Sequence, residues 1–163
     1  MRGLVAAIAT AGVFGVTIGL TMPLLALVLE GRGYGETLIG LNSAATFVGI
    51  LMLSPLAFWL IRRIGLAQAM LAGLLICALC LLLLSQVDSY GGWLLLRFVF
   101  GGAEGLLFVA AETWINAAVP ERLRSRMTAF YITALACGFA AGPLLIAATG
   151  IDGVLPYACG AAL

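Results

Sequence analysis

Long apolar runs separated by short polar clusters organise the whole chain. A helix that crosses a bilayer needs about 20 mostly apolar residues, with a range of roughly 17–25. Five runs are close to that length, and a shorter sixth run begins near Val154. The five runs are residues 4–29, 38–61, 66–84, 93–114 and 127–148. The pattern predicts an all-α integral membrane protein, a helical bundle with five complete membrane helices and part of a sixth.

Composition agrees with this class and narrows the chemistry. Of the 163 residues, 64% are hydrophobic and 9% are charged, whereas a soluble domain has about 25% charged residues. The net charge is +1 and no basic run is long enough to grip phosphates, which argues against a nucleic-acid partner. Histidine is absent, and Cys77 and Cys80 lie in an apolar run without a second pair. We therefore expect no metal, no cofactor and no soluble-type enzyme site.

The arginines predict the orientation. Residues 4–29 form a run far longer than the apolar part of a signal peptide, about 7–15 residues, so we expect an uncleaved first helix. Six arginines fall on the side of the N-terminus, and the opposite loops hold only Arg32 with the acids Glu30, Glu36, Asp88 and Asp152. An excess of arginine marks the cytoplasmic side, which places the N-terminus there. The six are Arg2, Arg62, Arg63, Arg122, Arg124 and Arg126. Trp59, Trp93 and Trp114 lie near run ends, where interfacial tryptophans are expected.

The fourth run, residues 93–114, contains three ionisable groups, Arg97, Glu104 and Glu112. An acid or arginine at mid-helix costs roughly 2.5–3.5 kcal/mol on insertion scales. Arg97 is near the outer end and could snorkel to the surface, whereas Glu104 lies near mid-bilayer. Arg97 and Glu104 share a face but are about 10 Å apart along the axis. Glu104 is either a proton-carrying or substrate-facing carboxylate, or a protonated glutamate that hydrogen-bonds to a neighbouring helix.

Glu112 lies at the inner end of the same run, within reach of the arginine-rich loops. We expect it to pair with Arg62, Arg63 or Arg122, as a conformational latch or as a plain anchor. A role for Glu112 in binding substrate is the less favoured alternative.

Glycine pairs at four-residue spacing indicate close helix packing. The pairs are Gly15 with Gly19, Gly101 with Gly105, and Gly138 with Gly142. Pro23 and the Gly142-Pro143 element should bend or weaken their helices. A modest polar lining comes from Thr10, Thr17, Thr21, Asn42, Ser43 and Thr46. We expect most of these side chains to bond back to their own helix. No repeat is visible, although an inverted repeat of three plus three helices can be hidden in such a sequence.

Three short motifs resemble those of the major facilitator superfamily (MFS). In residues 58–67, FWLIRRIGLA, Arg63 and Gly65 match the basic signature of the loop between helices two and three, and Arg62 replaces its aspartate. Arg97 and Gly101 resemble an Arg-x-x-x-Gly motif whose arginine is implicated in proton coupling. A third motif, from proton-coupled antiporters, is matched by Gly138, Gly142 and Pro143. The combination is most similar to the YcaD-like branch.

The resemblance implies a proton-coupled secondary transporter of a small solute, often of the efflux type, that works by alternating access in a bacterial inner membrane. Residues 1–163 would form its N-terminal transmembrane half, ending within helix six. Its partners would be membrane lipid and the missing C-terminal half, a second copy or another membrane subunit. The alternative is a non-transporting structural or assembly subunit of a larger membrane complex, docked through its glycine-rich faces.

Overall fold

The structure, a computed structural model, describes residues 2–151 and 153–162, with the side chains of residues 11–114, 116, 117, 119–151 and 153–162. Asp152 and the side chains of Arg2 and Thr10 therefore lie outside the described residues. Within these described residues, six helices follow one another. They are α1 (Arg2–Gly31), α2 (Glu36–Ile64), α3 (Leu66–Leu84), α4 (Tyr90–Ala118), α5 (Glu121–Thr149) and α6 (Leu155–Ala162).

Helices α1 to α5 each contain a segment long and apolar enough to cross a membrane. Helix α6 has eight residues, and the described residues contain no β-strand. In a bilayer a spanning segment must satisfy its own backbone hydrogen bonds, which favours a helix wherever the chain stays apolar for about 20 residues. The predicted all-α membrane fold is confirmed.

Most helices extend beyond the apolar runs. Helix α5 begins at Glu121, six residues before the apolar run 127–148, so the polar residues 121–126 are helical. Likewise Arg62 and Arg63 belong to the last turn of α2, where cations favour the negative end of the helix dipole. Apolarity marks the part of a helix in hydrocarbon, whereas its hydrogen bonds continue into the polar interface.

The starts of α2 and α4 differ in how they are capped. Gly35 precedes α2, and no side chain caps that helix. At α4 the Ser89 hydroxyl accepts a hydrogen bond from the backbone N–H of Gly92 at 3.2 Å, as a capping serine does. Helices α1 and α5 continue through Pro23 and Pro143 without interruption.

The helices group into two units, and each is described by itself. The first unit, residues 1–28 and 115–163, contains most of α1 with α5 and α6. A Cβ atom on Gly15 would overlap the backbone of Leu135, and one on Gly138 would overlap the backbone of Gly12. Gly142 lies equally close to the backbone of Gly19. Helices α1 and α5 therefore touch backbone to backbone, and α6 packs against α5.

The second unit, Leu29–Trp114, contains α2, α3 and most of α4. Gly101 on α4 leaves no room for a Cβ atom against the backbone of Thr46, and Gly49 on α2 leaves none against Phe98. Gly105 follows one turn later against Ile50 and Ser54. Helix α3 packs on α2.

The three predicted glycine pairs are therefore confirmed as sites of close helix approach. Both units also share one arrangement, in which two helices touch backbone to backbone and a third packs on the second of them. Helices α1, α5 and α6 hold these places in one unit, and α4, α2 and α3 hold them in the other. This correspondence is what an inverted repeat of three plus three helices predicts.

Substituting Gly101 tests the contact between α2 and α4. We expect Gly101→Ala to lower the stability of the purified protein in detergent by about 1–3 kcal/mol, because the added methyl group overlaps the Thr46 backbone. Gly40→Ala is the matched control on α2. A Cβ atom there meets nothing within 4 Å, so we expect it to stabilise the helix by roughly 0.5–1 kcal/mol. Equal melting temperatures for the two variants would contradict the contact.

Candidate functional site

Among the described side chains, the buried charged ones are on helix α4. Over half of its span is buried (56%), against 17% for α2 and 28% for α3. Arg97 is 1% exposed and Glu104 is 5% exposed. The expectation that Arg97 snorkels to the surface is therefore wrong, because the side chain is enclosed and its Cζ atom lies 5.9 Å from the centre of the Phe100 ring.

Arg97 and Glu104 interact electrostatically without forming an ion pair. Each group acts on the other, yet among the described residues no ion pair joins them. Seven residues along a helix correspond to about 10 Å, which accounts for the separation. Each of these two buried groups is thus left free for a further partner.

The Glu104 carboxyl group also acts electrostatically on the thiol of Cys77 in α3. Cys77 and Cys80 are both buried. In the part of the chain that the structure describes, Glu104 makes no hydrogen bond to a neighbouring helix. Both interpretations of this residue stay predictions.

Two neutral polar residues of α2 are also buried. Asn42 and Thr46 are each 1% exposed. Within the described residues, the Nδ2 atom of Asn42, the Oγ1 atom of Thr46 and the Nε atom of Arg97 have no hydrogen-bond partner. The prediction that such side chains bond back to their own helix holds for Thr17 and Thr21. It is wrong for Thr46.

These three side chains follow one line of contact between α2 and α4. The backbone of Thr46 lies against Gly101, and Ile50 lies against Gly105, so the two helices run in the same direction. Asn42 is one turn before Thr46, and Arg97 is one turn before Gly101. We call Asn42, Thr46 and Arg97 the α2–α4 polar seam. The seam is hard to predict from the sequence, because only the register between α2 and α4 relates its three residues.

A second cluster lies next to the seam, where two loops meet at the starts of α2 and α4. The Nη2 atom of Arg32 lies 3.4 Å from the Oδ1 atom of Asp88, and its Cζ atom lies 4.9 Å from the centre of the Trp93 ring. The Nε1 atom of Trp93 donates a hydrogen bond to the Val87 carbonyl at 2.7 Å. Trp93 is fully buried, so its predicted role as an interfacial anchor is wrong.

Two tyrosines complete this loop cluster. The rings of Tyr34 and Tyr90 have their centres 5.2 Å apart. The Tyr90 hydroxyl donates a hydrogen bond to the carbonyl of Leu38 at 2.7 Å. The loop after α1 is thereby attached to the start of α4. Sequence reasoning missed this cluster because its residues come from two loops that are far apart in the sequence.

The proposed charge latch pairs Glu112 with Arg62, Arg63 or Arg122. Glu112 is exposed and, within the described part of its unit, forms no ion pair with Arg62 or Arg63. The Cζ atom of Arg63 instead lies 5.1 Å from the centre of the Trp59 ring. Arg122 is an exposed residue of the other unit. The latch therefore stays a prediction.

Five apolar helices in the described part of the chain, with charge buried in one of them, place it among integral membrane proteins. The family model for the Major Facilitator Superfamily matches residues 7–156. The chain belongs to this superfamily, and the predicted resemblance is confirmed.

Several curated relatives match as well. The chain is 26% identical to the MFS-type transporter YfkF of Bacillus subtilis over 143 residues, which is 88% of this chain and 37% of YfkF. It is 28% identical over 121 residues to the MFS-type transporter YcaD of Escherichia fergusonii, covering 73% of this chain and 32% of that relative. The YcaD of an Escherichia coli O139:H28 strain is 28% identical over 127 residues, covering 77% and 33%. The chain thus spans about a third of the length of these relatives, which point to a transporter and not to an enzyme.

Two tryptophans with arginine partners allow a matched test of the loop cluster. Trp93→Phe removes the donor to the Val87 carbonyl at a fully buried position, so we expect a loss of about 1–3 kcal/mol in unfolding free energy. Trp59 is 52% exposed, and Trp59→Phe should change it by no more than about 0.5 kcal/mol. Thermal unfolding in one detergent measures both. A Trp93→Phe protein as stable as Trp59→Phe would contradict the assigned hydrogen bond.

Proposed function

We propose that the protein containing this chain transports a small solute across the bacterial inner membrane by alternating access, coupled to protons, and that this chain supplies its N-terminal half. Membership of a transporter superfamily supports the reaction class. One observation carries the proposal furthest, namely that Arg97 and Glu104 are buried in one membrane helix without pairing directly. Ionisable groups inside a membrane are costly, and they usually mark a substrate or proton pathway.

Glu104 is the proposed proton carrier. The titratable groups that interact with it within its unit are Arg97 on the same helix and the thiol of Cys77 on α3. The buried polar residues of α2 are neutral. A carboxyl group in such surroundings can take up or release a proton without first breaking a hydrogen bond or an ion pair among the described residues. The positive charge of Arg97 affects how readily Glu104 takes up or releases a proton.

The packing of each unit suits the proposed mechanism. Backbone contact at Gly101 and Gly49 in one unit, and at Gly15 and Gly138 in the other, leaves little freedom for the helices to shift within a unit. Alternating access in such transporters is largely a rigid-body movement around a site near the bilayer midplane. Stiff units convert binding at that site into movement of whole helices.

Proton-driven flux tests the role of Glu104. In vesicles that contain the complete protein, Glu104→Gln should reduce solute flux driven by a proton gradient by about tenfold or more, because the amide cannot exchange a proton. Counterflow without a gradient should persist. Glu36→Gln is the control, since this exposed acid lies in the first turn of α2. Unchanged gradient-driven flux in Glu104→Gln would remove Glu104 from the mechanism.

We further propose that the N-terminus is cytoplasmic. Among residues with described side chains, Arg62, Arg63, Arg122, Arg124 and Arg126 are at the helix ends assigned to that side, against Arg32 at the other. In a variant lacking the four native cysteines, we expect Asp88→Cys to react with an impermeant maleimide added to intact cells. Ser125→Cys should react only after the cells are opened. The reverse pattern would invert the topology.

A non-transporting assembly subunit is the second candidate, and the large exposed apolar side chains of α2 are the observation in its favour. The helix surfaces at Gly15, Gly101 and Gly138 are already in contact with another helix of the same unit. Such a subunit would therefore have to dock through exposed apolar side chains of α2, such as Leu51 and Met52. Stable co-purification with a larger membrane complex, together with absence of flux, would favour this function.

A further inference from the structure

We propose that the α2–α4 polar seam binds an anionic group of the transported solute, a carboxylate or a phosphate. This inference rests on the proposed transport function and names the chemical class of its substrate. Its basis is the set of unpaired atoms in Asn42, Thr46 and Arg97, each on a residue only 1% exposed.

Thr46 differs from comparable hydroxyl residues. Ser54 in α2 bonds to the carbonyl of Ile50, and Thr113 in α4 bonds to the carbonyl of Val109. This local bond is readily available to any threonine in a helix. The Thr46 hydroxyl makes no such bond within the described residues, although it is buried. A buried polar atom normally has a hydrogen-bond partner. Because the Thr46 hydroxyl does not use the carbonyl of its own helix, we expect it to bond to another group.

The unpaired groups share one chemistry, since each can donate a hydrogen bond. Arg97 offers its Nε–H, Asn42 offers an amide N–H, and Thr46 offers an O–H. A carboxylate or phosphate accepts several such bonds at once, and a guanidinium can hold it through two parallel ones. An anion would also supply the countercharge that a buried arginine lacks when no ion pair is formed. A cationic group would meet the charge of Arg97 with repulsion.

Glu104 gives the seam a link to proton coupling. An ionised Glu104 and a bound anion both act on the same guanidinium, so they compete for Arg97. Protonation of Glu104 removes that competitor. The thiol of Cys77, which also interacts with Glu104, brings no positive charge that could replace Arg97. We therefore infer that the anion and the proton are bound together.

Binding measurements with defined probes test the seam. The complete protein in detergent is titrated with acetate, benzoate, glycerol phosphate and phenyl phosphate. Acetamide, benzamide, glycerol and phenol serve as neutral partners, and benzamidine serves as a cation. We expect at least one anion to raise the melting temperature with saturation, as a ligand of the native state does, while its neutral partner does not. The proposal would be overturned if the neutral partners stabilised the protein as much as the anions do. It would also be overturned if none of the anions stabilised it.

Substitutions then assign the site. Thr46→Val and Asn42→Leu should each weaken binding of the stabilising anion by about tenfold, the effect of one lost hydrogen bond to a charged group. Thr46→Val should leave the unliganded melting temperature unchanged or higher, since its hydroxyl makes no bond within the described residues. Thr113→Val, which removes a hydroxyl bonded to its own helix, is the control and should bind as the wild type does. Wild-type affinity in both seam variants would show that the seam is not the site.

Glu104→Gln separates the inference from the proposed function. This variant should bind the anion at least as tightly as the wild type, because the competing charge is gone, and binding should no longer depend on proton uptake. Weaker binding in Glu104→Gln would contradict the competition. Anion binding at the seam without any flux in vesicles would support this inference and defeat transport. Proton-driven flux of a neutral solute, with no anion bound, would support transport and defeat this inference.

Discussion

Backbone contact between α2 and α4 is the constraint on which the second unit depends. In a bilayer the lipid chains are as apolar as leucine, so helices gain little from burying apolar side chains against each other. Attraction then depends on how closely two backbones can approach. Gly101 and Gly49 permit that approach against Thr46 and Phe98. The contact encloses the face of α4 that carries Arg97, and this is why a charged residue there is buried and does not reach lipid.

The same contact brings polar groups together that do not satisfy one another. Asn42, Thr46 and Arg97 are enclosed along a seam in which, among the described residues, none provides an acceptor for the unpaired donors of the others. Leaving a buried donor unsatisfied costs about 1–3 kcal/mol, and more for a charged one. Three such groups in one place are hard to explain by stability alone, because valine or leucine would fit with less penalty. A binding role gives a physical reason for keeping them.

The fold was largely predictable from the sequence, and the site only in part. Apolar runs identify helices because the bilayer sets both their length and their hydrogen bonding, and the bounds of α3 match residues 66–84. Glycine spacing predicted the close contact at Gly101, since that signal lies within one helix. The seam was missed because Asn42 and Arg97 are far apart in sequence, and only the register of α2 against α4 relates them. Trp93 was misjudged for a similar reason, because its environment is made by a loop that arrives from Arg32.

The loop cluster and the seam are connected through the first two turns of α4. Trp93 is fixed by its hydrogen bond to Val87 and by Arg32 above its ring, and Arg97 follows about one turn later on a continuous helix. The backbone hydrogen bonds of a helix link residues four apart, so the position of Trp93 constrains where the next turn of α4 lies. The loops at this end of the unit are therefore part of the packing around the start of α4, and not passive connectors.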